Sequence, residues 1–185
     1  MKHDDATDNA GWVRGLLESH EQPLVRYAQR LTGDLDQARD VVQDVFLRLI
    51  AADRSSVDGH AVEWLYTVCR NRCLDVRRKE RRMTTLSTEA EQVLENRGSA
   101  DPSPGGEALE DRAAMLRLID ALPERQQEVI RLKFQAGMSY REISGVTNLT
   151  VSNVGFLIHT GLKTIRERLA ARALREEQAG FGLAR

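Results

Sequence analysis

The sequence predicts an all-α protein made of two small helical domains joined by a flexible acidic linker, the C-terminal domain a helix-turn-helix. Three observations carry this. Apolar residues recur at helical spacing through most of the 185 residues, and alternating β-branched runs are missing. Composition favours helices with exposed polar faces, with 41% hydrophobic, 30% charged and only 5% aromatic residues. Residues 84–110, TTLSTEAEQVLENRGSADPSPGGEALE, are rich in Ser, Thr, Gly, Pro and Glu, and they separate two periodic blocks.

In the first block, Val25, Ala28 and Leu31, then Val41, Val42, Val45, Phe46 and Leu49, recur at threes and fours. TGDLDQ interrupts them: Gly33 can close one helix, and Asp34 or Asp36 can cap the next. ADRSSVDGH, residues 52–60, is a second break. A third helix is expected from about Ala61 to Arg82, with Val62, Leu65, Cys69, Cys73 and Val76 on one face. Both cysteines therefore read as small core residues rather than reactive thiols. No further Cys or His cluster completes a zinc site around them. Within the linker, a short helix is expected around Glu89–Leu94.

The second block opens with a helix at Arg112–Ala121, whose apolar face includes Met115, Leu116, Leu118 and Ile119. Pro123 suits the first turn of the next helix, and Glu124 suits its positive end. Gly137 ends that helix. Ser139 and Glu142 have the spacing of a capping box. YREISGV then makes about two turns, TNL a tight turn, and Thr150 caps a final helix expected to reach about Ala171. A short helix, a three- or four-residue turn and a longer amphipathic helix are the helix-turn-helix layout.

The net charge of −1 conceals a pattern. Residues 1–63 carry net −5, residues 64–82 net +5, residues 83–111 net −6 and residues 112–185 net +5. Two basic blocks separated by an acidic one suggest two contacts with a polyanion. No apolar run approaches the ~20 residues of a membrane span. The polar, acidic start MKHDDATDNAGW lacks a secretory apolar core, so a cytoplasmic location is expected. His3, His20, His60 and His159 are scattered, and neither a Gly-rich phosphate loop nor a nucleophile motif occurs. No enzymatic activity and no cofactor or metal are expected.

On the final helix, Val151, Val154, Ile158, Leu162, Ile165 and Leu169 cluster on a core-facing side at 100° per residue, with Gly161 at its edge allowing close packing. Ser152, Asn153, Phe156, His159, Thr160 and Lys163 occupy the opposite side. Such a face can read bases: Asn pairs with adenine, Ser and Thr bond either base type, and Phe packs on a thymine methyl or else meets a protein partner. Phosphate contacts are expected from Arg141, Lys163, Arg166 and the helix N-terminus.

LPERQQEVIRLKFQAGMSYREISGVTNLTVSNVGFLIH resembles the promoter −35-binding region of bacterial sigma factors. RYAQRLTGDLDQARDVVQDVFLRLI with WLYTVCRNRCLDVRRKERR resembles their −10-binding and core-polymerase-binding region. Both motif blocks in this order, with only a short linker between them, are similar to the compact extracytoplasmic-function (ECF) class over about residues 22–172. The resemblance implies a region 2 domain at 1–83, a linker at 84–111 and a region 4 domain at 112–185. It implies a transcription initiation factor that binds core RNA polymerase through clamp helices and flap, recognises promoter DNA and helps to open it. An anti-sigma factor clamped between the two domains is a further partner it suggests.

By the same resemblance, Asp40, Gln43, Asp44, Phe46 and Arg48 would contact polymerase. The loop at 52–61 and the start of the next helix would capture the opened non-template strand, with Arg70, Asn71, Arg78 and Arg82 as strand contacts, while Trp64 reads as a core residue ahead of a stacking platform. Two departures stand out. Gln37-Ala38-Arg39-Asp40 replaces the frequent Asp-Ala-Glu-Asp. Arg39 is then either an exposed residue paired internally with Asp36 or Asp40, or a weakening of docking. Gly155-Phe156-Leu157 and Thr160-Gly161-Leu162 stand where relatives often carry Lys-Ser-Arg or Arg-Ala-Arg. Weak −35 binding by the C-terminal domain, with a shallow salt dependence, is therefore expected. Two other readings are open: an autonomous helix-turn-helix regulator, and an interaction adaptor that keeps the fold with weakened DNA binding.

Overall fold

The computed structural model describes the backbone of residues 3–86 and 107–182, and the side chains of residues 9–83 and 110–174. It divides into two compact units, Met1–Gly98 and Ser99–Arg185. The first holds α1 (His3–Thr32), α2 (Leu35–Ala51), a 3-10 turn (Arg54–Ser56) and α3 (Ala61–Leu86). The second holds α4 (Glu107–Asp120), α5 (Glu124–Phe134), α6 (Tyr140–Thr147) and α7 (Val151–Gly182). No strand occurs among the described residues.

In the first unit, α1, α2 and α3 pack pairwise around one core. Gly33, at φ +83°, takes the chain out of α1, and its N–H donates to the Gln29 carbonyl at 2.8 Å. Asp34 caps α2 by accepting the Gln37 N–H at 2.8 Å. The core comprises Leu24, Tyr27 and Ala28 of α1, Val41, Val42, Val45, Phe46 and Leu49 of α2, and Leu65, Tyr66, Cys69 and Cys73 of α3. The Tyr27 and Tyr66 rings meet edge to face with centroids 5.2 Å apart. Burial pushes the Tyr66 hydroxyl pKa up to about 12. Both cysteines are free and fully buried. A hydrogen bond with Cys73, then burial, raises the Cys69 pKa far enough to keep the thiol protonated and unreactive.

Several boundaries differ from the sequence expectation. The first helix begins at His3, far upstream of Val25, the first residue of the expected apolar pattern, and runs through Pro23. Its half-buried stripe extends back through His20, Leu16 and Val13 at helical spacing. Burial lowers the His20 pKa. Both ends of the expected 84–111 linker are helical, since α3 reaches Leu86 and α4 starts at Glu107. The short helix expected around Glu89–Leu94 lies outside the described residues. Pro123 precedes α5 as its N-cap position instead of sitting in the first turn. The last helix passes Ala171 to Gly182. Residues 170–174 are exposed, and the Ala, Leu and Arg among them have high helix propensity.

In the second unit, α5, α6 and α7 enclose Val129, Ile130, Leu132, Met138, Ile143, Val146, Val154 and Ile158. Ile119, Leu122, Ile130 and Ile165 form a cluster that seats α4, with Leu118 packed against it. The Ser139 capping box is complete. The Ser139 hydroxyl accepts the Glu142 N–H at 3.3 Å, and the Glu142 carboxylate accepts the Ser139 N–H at 2.7 Å. The side-chain and backbone hydrogen bonds from Ser139 lower the Glu142 pKa. A lowered carboxylate pKa stabilises the fold above its unfolded value, and that stability is lost as pH falls through the folded value. We therefore expect Ser139→Ala to cost about 1 kcal/mol at neutral pH. The gap to wild type should narrow as pH falls below the ordinary glutamate value of 4.5. Urea melts at several pH values check this.

Candidate nucleic-acid and polymerase interfaces

The turn between α6 and α7 sets the helix-turn-helix. Asn148 closes α6 in the left-handed region at φ 57°, a conformation Asn tolerates. The Ser144 hydroxyl donates to the Leu149 carbonyl at 2.6 Å, and the Thr150 hydroxyl accepts the Asn153 N–H at 3.2 Å. These bonds fix the direction in which α7 leaves the turn. Val154, Ile158 and Ile165 then point inward with at most 5% exposure. Gly161 is buried where α7 meets α5; a Cβ there would lie 2.6 Å from Ile130 Cδ1.

Two residues of α7 expected in the core are not core, and Met115, expected on the apolar face of α4, is 41% exposed. Val151 is 47% exposed and Leu169 37%. Val151 is the first residue of α7, and Leu169 lies one turn past Ile165, the last buried residue among those described on the helix.

On the outward side, Ser152, His159, Lys163 and Arg166 are exposed and Asn153 is half-buried. Phe156 is 64% exposed, the largest apolar side chain on this face. Arg141, on α6, is exposed as well. Lys163 stands 4.0 Å from Glu167, a solvent-exposed pairing of little energetic weight. Thr160 departs from its expected reading role. It is half-buried, its hydroxyl donates back to the Phe156 carbonyl at 2.9 Å, and it accepts Gln126 Nε2 from α5 at 3.3 Å. Its hydroxyl therefore serves the α5–α7 contact. Tyr140 was not anticipated beside this face. Its ring crosses Gly155, approaching the absent Cβ position to 3.5 Å, and Lys133 Nζ stands 5.5 Å from the ring centroid. Only a glycine next to Phe156 hinted at so close an approach.

In the first unit, Asp40, Gln43 and Arg48 of α2 are exposed, whereas Phe46 is only 5% exposed. Phe46 packs in the core between the helices and cannot offer its ring as a direct polymerase contact. Leu47 and Ile50, each 58% exposed, instead continue the outward stripe of Asp40 and Gln43 at helical spacing. They escaped the sequence reading because contiguous apolar residues in a helix do not reveal which one faces out. Asp44 is drawn toward α3: Arg72 Nε lies 2.6 Å and Arg48 Nε 3.3 Å from its Oδ2. Gln37 Nε2 donates to Glu80 Oε1 at 2.6 Å, tying the same two helices further along. Arg39 pairs with Asp36 at 3.3 Å.

On α3, Asn71, Arg78 and Arg82 are exposed and fall on one stripe, and Arg70 is half-buried. Arg78 Nη1 stands 3.6 Å from Asp75. Trp64 is half-buried. Among the described residues, no group of three or more His, Cys, Asp or Glu is placed to hold a metal ion. Among them, too, no helix is long and apolar enough to cross a membrane.

A helix-turn-helix unit, together in one chain with a second helical unit that carries a basic, outward-striped helix, defines a DNA-binding protein with the sigma-70 type of fold. The sigma-70 region 2 family matches residues 16–83, and the sigma-70 region 4 family matches residues 112–165. ECF RNA polymerase sigma factor SigL of Mycobacterium tuberculosis (strain ATCC 25618 / H37Rv) is 32% identical over 166 residues, which cover 87% of this chain and 90% of SigL. ECF RNA polymerase sigma factor SigW of Bacillus subtilis (strain 168) is 24% identical over 162 residues, 83% of this chain and 87% of SigW. CnrH, solved in complex with the cytosolic domain of CnrY, shares the fold at a TM-score of 0.52 and 23% identity, covering 86% of this chain and 88% of CnrH. The chain belongs to the ECF RNA polymerase sigma factors.

Proposed function

We propose that this sigma factor docks on core RNA polymerase through the α2 stripe, captures the opened −10 strand with the 52–61 loop and α3, and reads the −35 element with α7. The observation that carries this reading is the outward face of α7. Ser152, Phe156 and His159 are exposed and Asn153 is half-buried on a helix whose direction is set by the hydrogen-bonded turn before it. Asn153 suits adenine, and Phe156 suits a thymine methyl. Asn71, Arg70, Arg78 and Arg82 suit a single strand whose bases are splayed and whose phosphates need cations. Asp40, Gln43, Leu47, Ile50 and Arg48 make up the polymerase-facing set, through the clamp helices; the second unit adds the flap contact. The protein acts without catalytic chemistry of its own and works in the cytoplasm, where polymerase is. An anti-sigma factor is a further partner, since CnrH is solved with the cytosolic domain of CnrY. Run-off transcription with core polymerase on genomic fragments, with start-site mapping, is the direct test. Absence of any sigma-dependent start would overturn the reading in favour of an adaptor.

Two quantitative outcomes follow from the side chains involved. With Arg141, Lys163 and Arg166 as the phosphate-contacting cations of the −35 face, log K against log salt should slope at about −3. A filter-binding titration showing a slope near twice that would place more cations on the DNA than this face holds. The Arg39–Asp36 pair is exposed on both sides, so its contribution to stability is about 0–1 kcal/mol. Arg39→Glu is expected to change polymerase pull-down by less than about twofold, because Arg39 already has a local partner. A gain on the order of tenfold would show that Arg39 opposes docking.

A further inference from the structure

The loop joining α2 to α3 is held at several points. Asp53 accepts the Ser55 N–H at 3.1 Å and the Ser55 hydroxyl at 2.8 Å, and the Ser56 hydroxyl donates to the Asp53 carbonyl at 2.6 Å. Val57, 1% exposed, anchors the far side of the turn in the core. A further hold comes from outside the loop. The guanidinium carbon of Arg54 stands 5.2 Å from the centroid of the Trp12 ring, within the ~6 Å reach of a cation–π contact. Both side chains are half-buried, which strengthens such a contact relative to open solvent. Trp12 belongs to the early part of α1, upstream of residue 16, where the match to the region 2 family begins. The brace is therefore supplied by a segment of this chain that the family match does not cover.

We infer that Trp12 is a positioning residue for promoter opening, holding Arg54 and the loop around it in the conformation that receives the non-template strand. This rests on the assignment of the 52–61 loop to −10 strand capture. The bonds from Asp53, Ser55 and Ser56 shape the turn locally, and Val57 fixes its end. Trp12 ties the turn to α1, the helix on which the unit's core is built. A loop ordered before the strand arrives does not have to be ordered by binding, and that raises affinity for the strand without adding a contact.

The test uses the full chain with core polymerase and two probes built on a promoter mapped by run-off. One is a fork-junction duplex with a single-stranded −10 non-template segment; the other is a duplex carrying only the −35 element. Trp12→Leu keeps apolar bulk and removes the π face, and Trp12→Phe keeps a ring. Trp12→Leu should lower retention of the fork-junction probe by about two- to fivefold, with the Phe variant between it and wild type. Retention of the −35 duplex and of polymerase should stay unchanged. Equal fork-junction retention by Trp12→Leu and wild type overturns the brace. Equal losses on both probes, or loss of polymerase binding, overturn it too, because Trp12 would then support the whole unit. If the wild-type holoenzyme fails to retain the fork-junction probe while still holding the −35 duplex, the loop assignment itself falls.

Discussion

Asp120→Ala is expected to destabilise the second unit by about 2–3 kcal/mol, below the range for wholly buried pairs because the Asp120 carboxylate is partly solvated. The cause is Arg131, a charged side chain only 4% exposed in the last turn of α5, whose Nη2 pairs with Asp120 at the end of α4. Removing the carboxylate takes an ion-pair partner from a buried guanidinium, and its desolvation is then less well compensated. The same corner holds two other side chains on backbone carbonyls. Gln127 Nε2 donates to the Asp120 carbonyl at 2.8 Å and to the Leu122 carbonyl at 2.7 Å, and Arg168 Nη1 donates to the Ala121 carbonyl at 3.2 Å. Hydrogen exchange of α5 amides in the full chain should show the loss, because the two units need not unfold together. The double change Asp120→Leu with Arg131→Met should recover most of it, since an apolar pair of similar volume carries no buried charge. A single change with no effect on exchange would show that Arg131 is satisfied without Asp120.

Gly161→Val is expected to cost about 1–3 kcal/mol and to weaken −35 binding as well. A Cβ at this position meets Ile130 Cδ1 at 2.6 Å and Gln126 Cβ at 3.5 Å. For Gly161→Ala two effects oppose each other. The clash is with the end of a flexible side chain, which can turn aside, and alanine gains about 1 kcal/mol of helix propensity over glycine. The alanine variant should therefore lie within about 1 kcal/mol of wild type. The branched valine adds atoms that Ile130 cannot evade alone, so α7 must shift away from α5. That shift carries Asn153, Phe156 and His159 with it. Melting curves for the two variants, beside titrations with a −35 duplex, separate the outcomes. Valine tolerated as well as alanine would mean that the α5–α7 contact is loose.

Much of the architecture was legible along the chain, because its devices are local. The Asp34 cap, the Ser139–Glu142 box and the Thr150 cap each act within three residues, and each is found bonded as its spacing implies. The inward placement of Cys69, Cys73, Val154 and Ile158 follows from a helical period that sequence preserves. The limits of α1 and α7 were less legible. A polar, acidic start concealed the stripe through Val13, Leu16 and His20, and the exposed residues 170–174 of α7 offered no inward stripe to mark its length.

The site residues divide along the same line. Exposure of Ser152, His159, Asn71 and Arg78 follows from angle on a helix, which one-dimensional spacing encodes. The burial of Phe46, the engagement of Thr160 with Gln126 and the capture of Asp44 by Arg72 depend on which neighbouring helix lies within a few ångströms. Sequence by itself determined the helices, their caps and their inward faces, since these arise from interactions between residues three or four apart. Only the tertiary structure decided which polar groups stay on the surface for DNA and polymerase and which hold helices together. Arg131 with Asp120 and Trp12 with Arg54 meet across separate elements, and a side chain's reach to another helix is set by packing that no local spacing records.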